Sequence, residues 1–263
     1  MTGQFAAEVS KKEKISDDIF RLTLIAPEIA ATARPGQFVM LRSGAMLDPL
    51  LSRPFSIHQC MADGRIQVLF KVFGEGTRRL AALEKGEVAG LVGPLGRGFS
   101  LLGEGRVCLV GGGMGIAPLF FLARELLRRA DPPQDIVLLL GARTANDLGQ
   151  LAREFEVMGL RPRLATDDGT LGHGGLVPEL LPRYLTEGKY RIYCCGPTPM
   201  MAAVAAYAIE REWPCQVSME TMMACGISAC LGCAVKTTTK TDGYQHVCKN
   251  GPVFAAEDIA WNR

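Results

Sequence analysis

Four cysteines near the C-terminal end, Cys225, Cys230, Cys233 and Cys248, constrain the fold of this chain more than any other feature. Their spacing is C-x4-C-x2-C-x14-C. Thiolates are the ligands that iron–sulfur clusters select, and C-x4-C-x2-C followed by a distant fourth cysteine is a recurrent 2Fe–2S spacing. The intervening Gly226, Ser228, Ala229 and Gly232 are small. They let backbone N–H groups approach inorganic sulfides, and such hydrogen bonds tune the potential. Four cysteines also suit structural zinc, but zinc sites usually pair two C-x2–4-C knuckles, and Cys248 stands alone. The spacing also disfavours four unrelated buried cysteines. From about Ser218 to Arg263 hydrophobic periodicity is weak. Apolar burial alone would hold such a loop-rich tail poorly, and ligation would supply what is missing.

The chain has nine cysteines in 263 residues. The other five, Cys60, Cys108, Cys194, Cys195 and Cys215, are scattered among apolar neighbours and are expected to pack as small hydrophobes. A disulfide framework is not expected in a reducing compartment. Lys and Arg number 29 against 27 Asp and Glu, so no nucleic acid or anionic membrane is expected as a partner. The most apolar stretch, residues 107–123, is broken by Gly111, Gly112, Gly113, Gly115 and Pro118. A membrane span needs about 20 largely apolar residues, so this stretch reads as a strand, a loop and a helix start. The N-terminus lacks the apolar core of a secretory signal. A soluble, cytoplasmic protein is expected.

Three segments follow from the pattern. Residues 1–102 read as short strands punctuated by turns: Phe20, Leu22 and Leu24 alternate with Arg21 and Thr23, and Phe38–Leu41 and Ile66–Val72 are β-rich. Such a run suggests a barrel or sandwich. One short helix is expected to begin at Thr77. The character changes near Gly103-Glu104-Gly105. Over residues 103–217 strands and helices alternate, which argues for a parallel sheet covered by helices. Residues 218–263 form the cysteine segment. The fold class is therefore α+β and multi-domain: an antiparallel β-barrel, an α/β domain and a small cysteine domain.

The run Val110-Gly111-Gly112-Gly113-Met114-Gly115-Ile116-Ala117-Pro118 follows a strand and opens a helix. Glycines let the backbone approach a pyrophosphate, and the helix start offers free N–H groups and partial positive charge. Pro118 suits the first helical turn. The G-x-G-x-x-G fingerprint does not fit, because its third glycine position falls on Ile116. A plain strand-to-helix turn stays open as an alternative.

The order of barrel, GGGMGIAP loop, Cys195-Gly196-Pro197-x-x-Met200 and cysteine tail resembles the ferredoxin–NADP reductase superfamily. Met223-Ala-Cys225-Gly-Ile-Ser-Ala-Cys230-Leu-Gly-Cys233 resembles, more narrowly, the electron-transfer subunits of class 1B dihydroorotate dehydrogenases. The resemblance spans essentially the whole chain. It implies FAD on the barrel, a nicotinamide dinucleotide on the α/β domain, and a 2Fe–2S cluster on Cys225, Cys230, Cys233 and Cys248. Arg53-Pro54-Phe55-Ser56 is similar to the family's flavin motif. A guanidinium at Arg53 offers a fork of donors to a pyrophosphate, and Ser56 a short hydroxyl to the isoalloxazine edge. Leu69-Phe70-Lys71 is similar to a second flavin stretch and Gly76-Thr77 to a phosphate-binding turn, Thr77 also being placed to cap its helix. Without the resemblance, Arg53-Pro54 could be a strand-start turn and Gly76-Thr77 an ordinary cap.

On the α/β domain the resemblance implies that Gly111, Gly112, Gly113 and Gly115 hold the dinucleotide. Cys195-Gly196-Pro197 is then expected beside the nicotinamide, with a buried strand-end thiol as the alternative for Cys195. Thr166-Asp167-Asp168-Gly169 falls where relatives bind a 2′-phosphate. Carboxylates there would repel that phosphate and suit ribose hydroxyls, which favours NAD; an acidic turn is the plain alternative. Two residues depart from the family's usual pattern: Ser228 replaces a common glycine and Lys71 a frequent arginine.

The implied function is a relay in pyrimidine biosynthesis. A partner subunit carrying FMN would oxidise dihydroorotate, and electrons would pass through the cluster and FAD to NAD+. The implied assembly is a heterotetramer with two copies of each subunit. No side chain is expected to act as general acid or base, and His58, His173 and His246 show no triad or metal spacing. The rivals are a reductase subunit of sulfide dehydrogenase or ferredoxin:NADP transhydrogenase type, and a zinc-stabilised module without redox activity.

Overall fold

The computed structural model describes residues 3–44, 50–101, 105–238 and 243–261. The N-terminal segment is a closed antiparallel barrel. Its strands are β1 (Gly3–Lys14), β2 (Ile19–Ile25), β3 (Phe38–Ser43), β4 (Arg53–Cys60), β5 (Arg65–Lys71) and β6 (Val88–Leu95), in the order β1-β2-β5-β4-β3-β6. Closure leaves no free sheet edge. Leu22, Leu24, Val39, Leu41, Ile57, Ile66, Val68 and Leu91 fill the interior with essentially no exposure. Thr23 is buried too, its hydroxyl accepting a hydrogen bond from Gln67 Nε2 at 3.1 Å.

Two short helices close the barrel, α1 (Pro27–Thr32) and α2 (Glu75–Ala82). The second begins before Thr77, contrary to the sequence expectation, because Gly74 takes the cap position. Thr77 sits one turn in, where its hydroxyl accepts from the Phe73 and Gly74 N–H groups and donates to the Gly74 carbonyl.

The second segment is wound around the parallel strands β7 (Arg106–Gly112), β8 (Asp135–Ala142), β9 (Arg163–Thr166), β10 (His173–Gly174), β11 (Tyr190–Cys195) and β12 (Cys215–Ser218). Helices α3 (Ile116–Leu127), α4 (Ala145–Val157), α5 (Leu181–Tyr184) and α6 (Thr198–Glu210) join them. Strand β7 has β8 on one side and β11 on the other. Val107, Cys108, Leu109 and Val110 are buried, since both faces of this strand are covered. The chain order reverses between β7 and β11. Ligands of open α/β sheets bind at the carboxyl ends of the strands flanking such a reversal.

The last segment holds β13 (Ala234–Lys236) paired with β14 (Tyr244–His246), then helix α7 (Val247–Asn250) and β15 (Val253–Ala255). Strand β15 joins the large sheet antiparallel to β12. Its loop also meets the barrel, where the Arg97 N–H donates to the Gly251 carbonyl at 2.5 Å. Residues 103 and 104, where the sequence changes character, lie outside the described residues. Among the described residues no helix is long and apolar enough to cross a membrane.

Candidate functional site

Three places on the molecule carry chemistry, and they are contiguous. The first is a cavity of about 230 Å³ between barrel and sheet. Pro54, Phe55 and Ser56 of β4 and Leu69, Phe70 and Lys71 of β5 form its barrel wall. These two triplets, separated in sequence by a hairpin, meet because β4 pairs with β5. The Phe55 and Phe70 rings lie 5.3 Å apart. Arg53, the residue before Pro54 on β4, lies against Gly76: a Cβ on Gly76 would come 2.2 Å from Arg53 Nε. Only glycine lets the guanidinium lie on the first turn of α2. An apolar barrel wall with one hydroxyl and one ammonium, and a guanidinium nearby over a helix start, suit a flavin with a pyrophosphate tail.

The far wall of this cavity was not legible in the sequence. It is built from Ser218, Met219, Glu220, Thr221, Met223 and Pro252, together with Met114 and Ala117. Glu220 lines this wall with its surface exposed, and the protein crowded around it disfavours the charged form and raises its carboxyl pKa. An isolated Glu in a weakly periodic tail carries no local signal of such a position.

The second place is a larger cavity of about 690 Å³ at the carboxyl ends of β7, β8, β9 and β11. The loop glycines divide by what a side chain would meet there. On Gly111 a Cβ would press on Leu119 and Leu140 at 3.0 Å, and on Gly112 it would strike Met200 Sδ at 2.4 Å. On Gly115 it would strike the Cys195 carbonyl oxygen at 2.2 Å. Gly113 differs: its φ is +54° and its Cβ direction is open. Gly111 and Gly112 therefore let the end of β7 pack against α3, β8 and α6, Gly115 lets the loop pack against β11, and Gly113 leaves room in the cavity that it lines with Gly112. Gly196, with φ +157°, also packs tightly, and Pro197 lines the cavity.

Other expected residues stand elsewhere. Cys195 is fully buried, its thiol 3.6 Å from the Ser218 carbonyl; burial raises its pKa, and it lines neither cavity. The structure thus has the strand-end thiol in a packed core rather than at a cavity wall. Thr166 is buried and exchanges hydrogen bonds with Leu171. Asp168 accepts from the Thr170 hydroxyl at 2.6 Å and its N–H at 3.0 Å, which lowers its pKa. Both residues build the turn, and of the two neighbouring aspartates it is Asp167 that lines the cavity, together with Asp147 and Glu179. The turn that follows β9 gives the two aspartates different surroundings, which residue type alone does not reveal.

The two cavities share Lys71 and Met114. Lys71 is held by Asp18 at 3.1 Å and Asp147 at 3.4 Å, so one ammonium ties the barrel to α4. A ligand in either cavity would therefore meet the same pair of side chains.

The third place is the cysteine loop. Cys233 and Cys248 have Sγ atoms 3.2 Å apart, and Cys225 is tied to Cys230 by the Cys230 N–H, which donates to Cys225 Sγ at 3.4 Å. Cys233 and Cys248 are buried, Cys225 is half-buried and Cys230 exposed. Burial acts to raise the Cys225 pKa, but backbone N–H groups of Cys230, Ile227 and Ala229 outweigh it and bring it down to about 7. Burial, with the neighbouring Cys233, pushes Cys248 up to about 11 against an opposing Ser228 N–H. Four thiols so linked, with N–H groups turned toward sulfur, fit a two-iron cluster that takes two thiolates per iron. Ser228 and Leu231 adopt left-handed backbone, with φ of 67° and 60°. Gly226 does so too and rests on the barrel, where a Cβ would meet Met40 Cγ at 2.5 Å. Met223, two positions before the first cysteine, lines the first cavity.

Comparison with known proteins assigns the same three regions. Residues 6–99 match the model of the oxidoreductase FAD-binding domain, residues 109–206 that of the oxidoreductase NAD-binding domain, and residues 220–260 that of the iron-sulfur cluster binding domain of dihydroorotate dehydrogenase B. A protein of Desulforamulus reducens named "Dihydroorotate dehydrogenase B (NAD(+)), electron transfer subunit" is 39% identical, with 99% of this chain and 100% of that protein covered. One of the same name from Caldanaerobacter subterraneus is 34% identical, covering 98% and 99%. Among solved structures, one described as an NADH-dependent reduced ferredoxin-NADP oxidoreductase superposes with a TM-score of 0.84 at 31% identity, covering 99% of this chain and 92% of that one. A ferredoxin NADP+ reductase from Neisseria gonorrhoeae shares the fold, with a TM-score of 0.63 at 16% identity over 79% and 91% of the two chains.

Proposed function

This chain belongs to the family of dihydroorotate dehydrogenase B electron transfer subunits, and from that premise we propose how its residues divide the work of passing electrons to NAD+. The family is a set of oxidoreductase subunits that act with a catalytic partner in pyrimidine biosynthesis. When bound, FAD supplies the exchange between hydride and single electrons, and the 2Fe–2S cluster supplies one-electron carriage.

The contiguity of the three places carries the reading. Lys71 and Met114 belong to both cavities, and Met223 leads from the first cavity straight into the cysteine loop. Pro54, Phe55, Ser56, Leu69, Phe70 and Lys71 seat the flavin ring. Arg53 and the turn at Gly76 take its pyrophosphate, Thr77 holding that turn rather than touching phosphate. Gly113 admits the dinucleotide, Gly112 and Pro197 shape its path, and Gly111, Gly115 and Gly196 hold the loop against the strands. Asp167 accepts from ribose hydroxyls and disfavours a 2′-phosphate. Cys225, Cys230, Cys233 and Cys248 ligate the cluster. No general acid or base is required of these side chains.

The exposed Cys230, with Ile227 and Leu231 more than half exposed beside it, supports placing the partner against this loop. That partner is the FMN-containing subunit, in an assembly of two copies of each chain in the cytoplasm. The domain limits are 1–102, 103–217 and 218–263, with β15 of the last segment completing the sheet of the second.

The test is NADH formation on adding dihydroorotate to the chain purified with its native partner. It should occur, and Cys230→Ser should abolish it. A preparation that NADH bleaches but dihydroorotate does not reduce would favour a second reading, a reductase subunit of the NADH-dependent ferredoxin–NADP type. The 31% identity and TM-score of 0.84 to such a structure support that alternative.

A further inference from the structure

We propose that His58 is a positioning residue, which sets the flavin seat of the barrel against the dinucleotide loop of the sheet domain. The inference rests on reading the two cavities as the flavin and dinucleotide seats.

His58 lies on β4, two positions beyond Ser56, and is 1% exposed. Its ring bridges two segments that the sequence keeps far apart. Nδ1 stands 3.1 Å from the Ala117 carbonyl oxygen, and since a carbonyl only accepts, that nitrogen donates. The ring stacks on Phe120 of α3, with centroids 4.5 Å apart and planes 22° from parallel. Nε2 faces Glu154 of α4 at 3.4 Å but makes no hydrogen bond there. Glu154 in turn accepts from Arg21 Nη1 of β2 at 2.6 Å, and Arg21 is also held by Glu13 of β1. One position along β4, Gln59 accepts from Arg124 of α3 at 2.7 Å. The imidazole, carried on β4, is therefore held by α3, with Glu154 of α4 facing its free edge and Arg21 behind that carboxylate.

The partner of Nδ1 gives this bridge a function. Ala117 is in the first turn after the glycine loop and lines the first cavity, and Met114, three residues earlier, lines both. The bond from His58 to Ala117 thus joins the strand that forms one wall of the flavin seat to the turn that presents the dinucleotide loop. Close-packed interiors transmit displacement rather than absorb it. A misplacement of about 1 Å between reacting groups can cost about a hundredfold in rate.

His58→Asn and His58→Gln separate this role from simple core packing. An Asn amide nitrogen falls near the place of Nδ1 and can donate to Ala117, whereas a Gln amide nitrogen falls near Nε2 and can donate to Glu154 only. The full chain with bound flavin is mixed with NADH, and flavin bleaching is followed by stopped flow. Flavin content, NADH affinity and hydrogen exchange of amides 116–121 are measured alongside. His58→Asn should bleach within about threefold of wild type. His58→Gln should be slowed about tenfold or more, with NADH affinity and flavin content unchanged and faster exchange at 116–121. Equal rates in both variants, whether wild-type or slowed alike, or equal loss of flavin, would overturn the proposal and leave His58 as ordinary packing. A wild-type chain that NADH does not bleach would instead refute the cavity assignments, and the proposal with them.

Discussion

Gly113 and Gly115, two residues apart in one loop, should respond oppositely to the same change. At Gly115 the backbone is helical, with φ −62°, so alanine suits the local conformation. Its methyl group, however, would lie 2.2 Å from the Cys195 carbonyl oxygen, about 1 Å inside any tolerated contact. Loop and strand must separate, and overpacking of this kind costs about 1–3 kcal/mol. The reduced freedom of the unfolded chain returns about 0.4–1 kcal/mol of that. At Gly113 nothing lies within 4 Å, and the cost is the left-handed backbone at φ +54°, about 1–2 kcal/mol for alanine. The same unfolded-state gain offsets part of it and leaves about 1 kcal/mol, up to about 1.6. Gly115→Ala should therefore be the less stable variant, and its melting point should fall by about 2–4 °C per kcal/mol in a chain of this size. Binding should show the reverse order. The added methyl of Gly113→Ala points into the dinucleotide cavity and should weaken NADH by about tenfold or more, a loss of about 1.4 kcal/mol. Thermal unfolding of the flavin-bound chain and NADH titration monitored by flavin absorbance measure the two effects. Equal destabilisation by both variants, or stronger NADH binding by Gly113→Ala, would refute the division of the glycines.

Glu220 has a raised carboxyl pKa because of burial, so its ionisation opposes folding. Glu220→Gln should raise the melting point most at alkaline pH, and the gain should fade as pH drops through the raised pKa toward the ordinary value of 4.5; a gain that grew on acidification would contradict this. Asp167→Ser should let NADPH compete with NADH, whereas Asp168→Ala should loosen the turn without changing selectivity, as ratios of kcat/KM would show. Ser228→Gly relieves a left-handed residue at φ 67° and should stabilise the cluster-loaded chain by about 1 kcal/mol; unchanged or lower thermal stability would show that the serine hydroxyl compensates the strain.

The features legible in advance are those set by neighbours in the chain. Val107–Val110 reads as a doubly buried strand because every residue is apolar, and β7 is buried there on both faces. The Phe38–Leu41 run lies in β3, and the Ile66–Val72 run in β5 up to Lys71, for similar reasons. Strand β1 went unread, because its barrel-facing Ala7 and Val9 are too few to announce twelve residues of pairing. The start of α2 was misplaced because threonine is a common cap, while here Gly74 caps and Thr77 reaches back to it from within the first turn.

The residue pattern along the chain sets the chemistry available to this protein: thiols at cluster spacing, a glycine loop between strand and helix, and an arginine and a lysine near aromatic residues. Most of these depend on short separations, which covalent geometry transmits directly. How that chemistry is disposed depends on the packing of distant segments. Asp167 faces the cavity while Asp168 closes a turn, Gly113 opens while Gly115 packs, Glu220 lines the flavin wall, and His58 reaches Ala117, 59 positions away along the chain. Those outcomes depend on which strands pair and which faces meet. Contacts between distant segments set them, and no local pattern of residue types encodes such contacts.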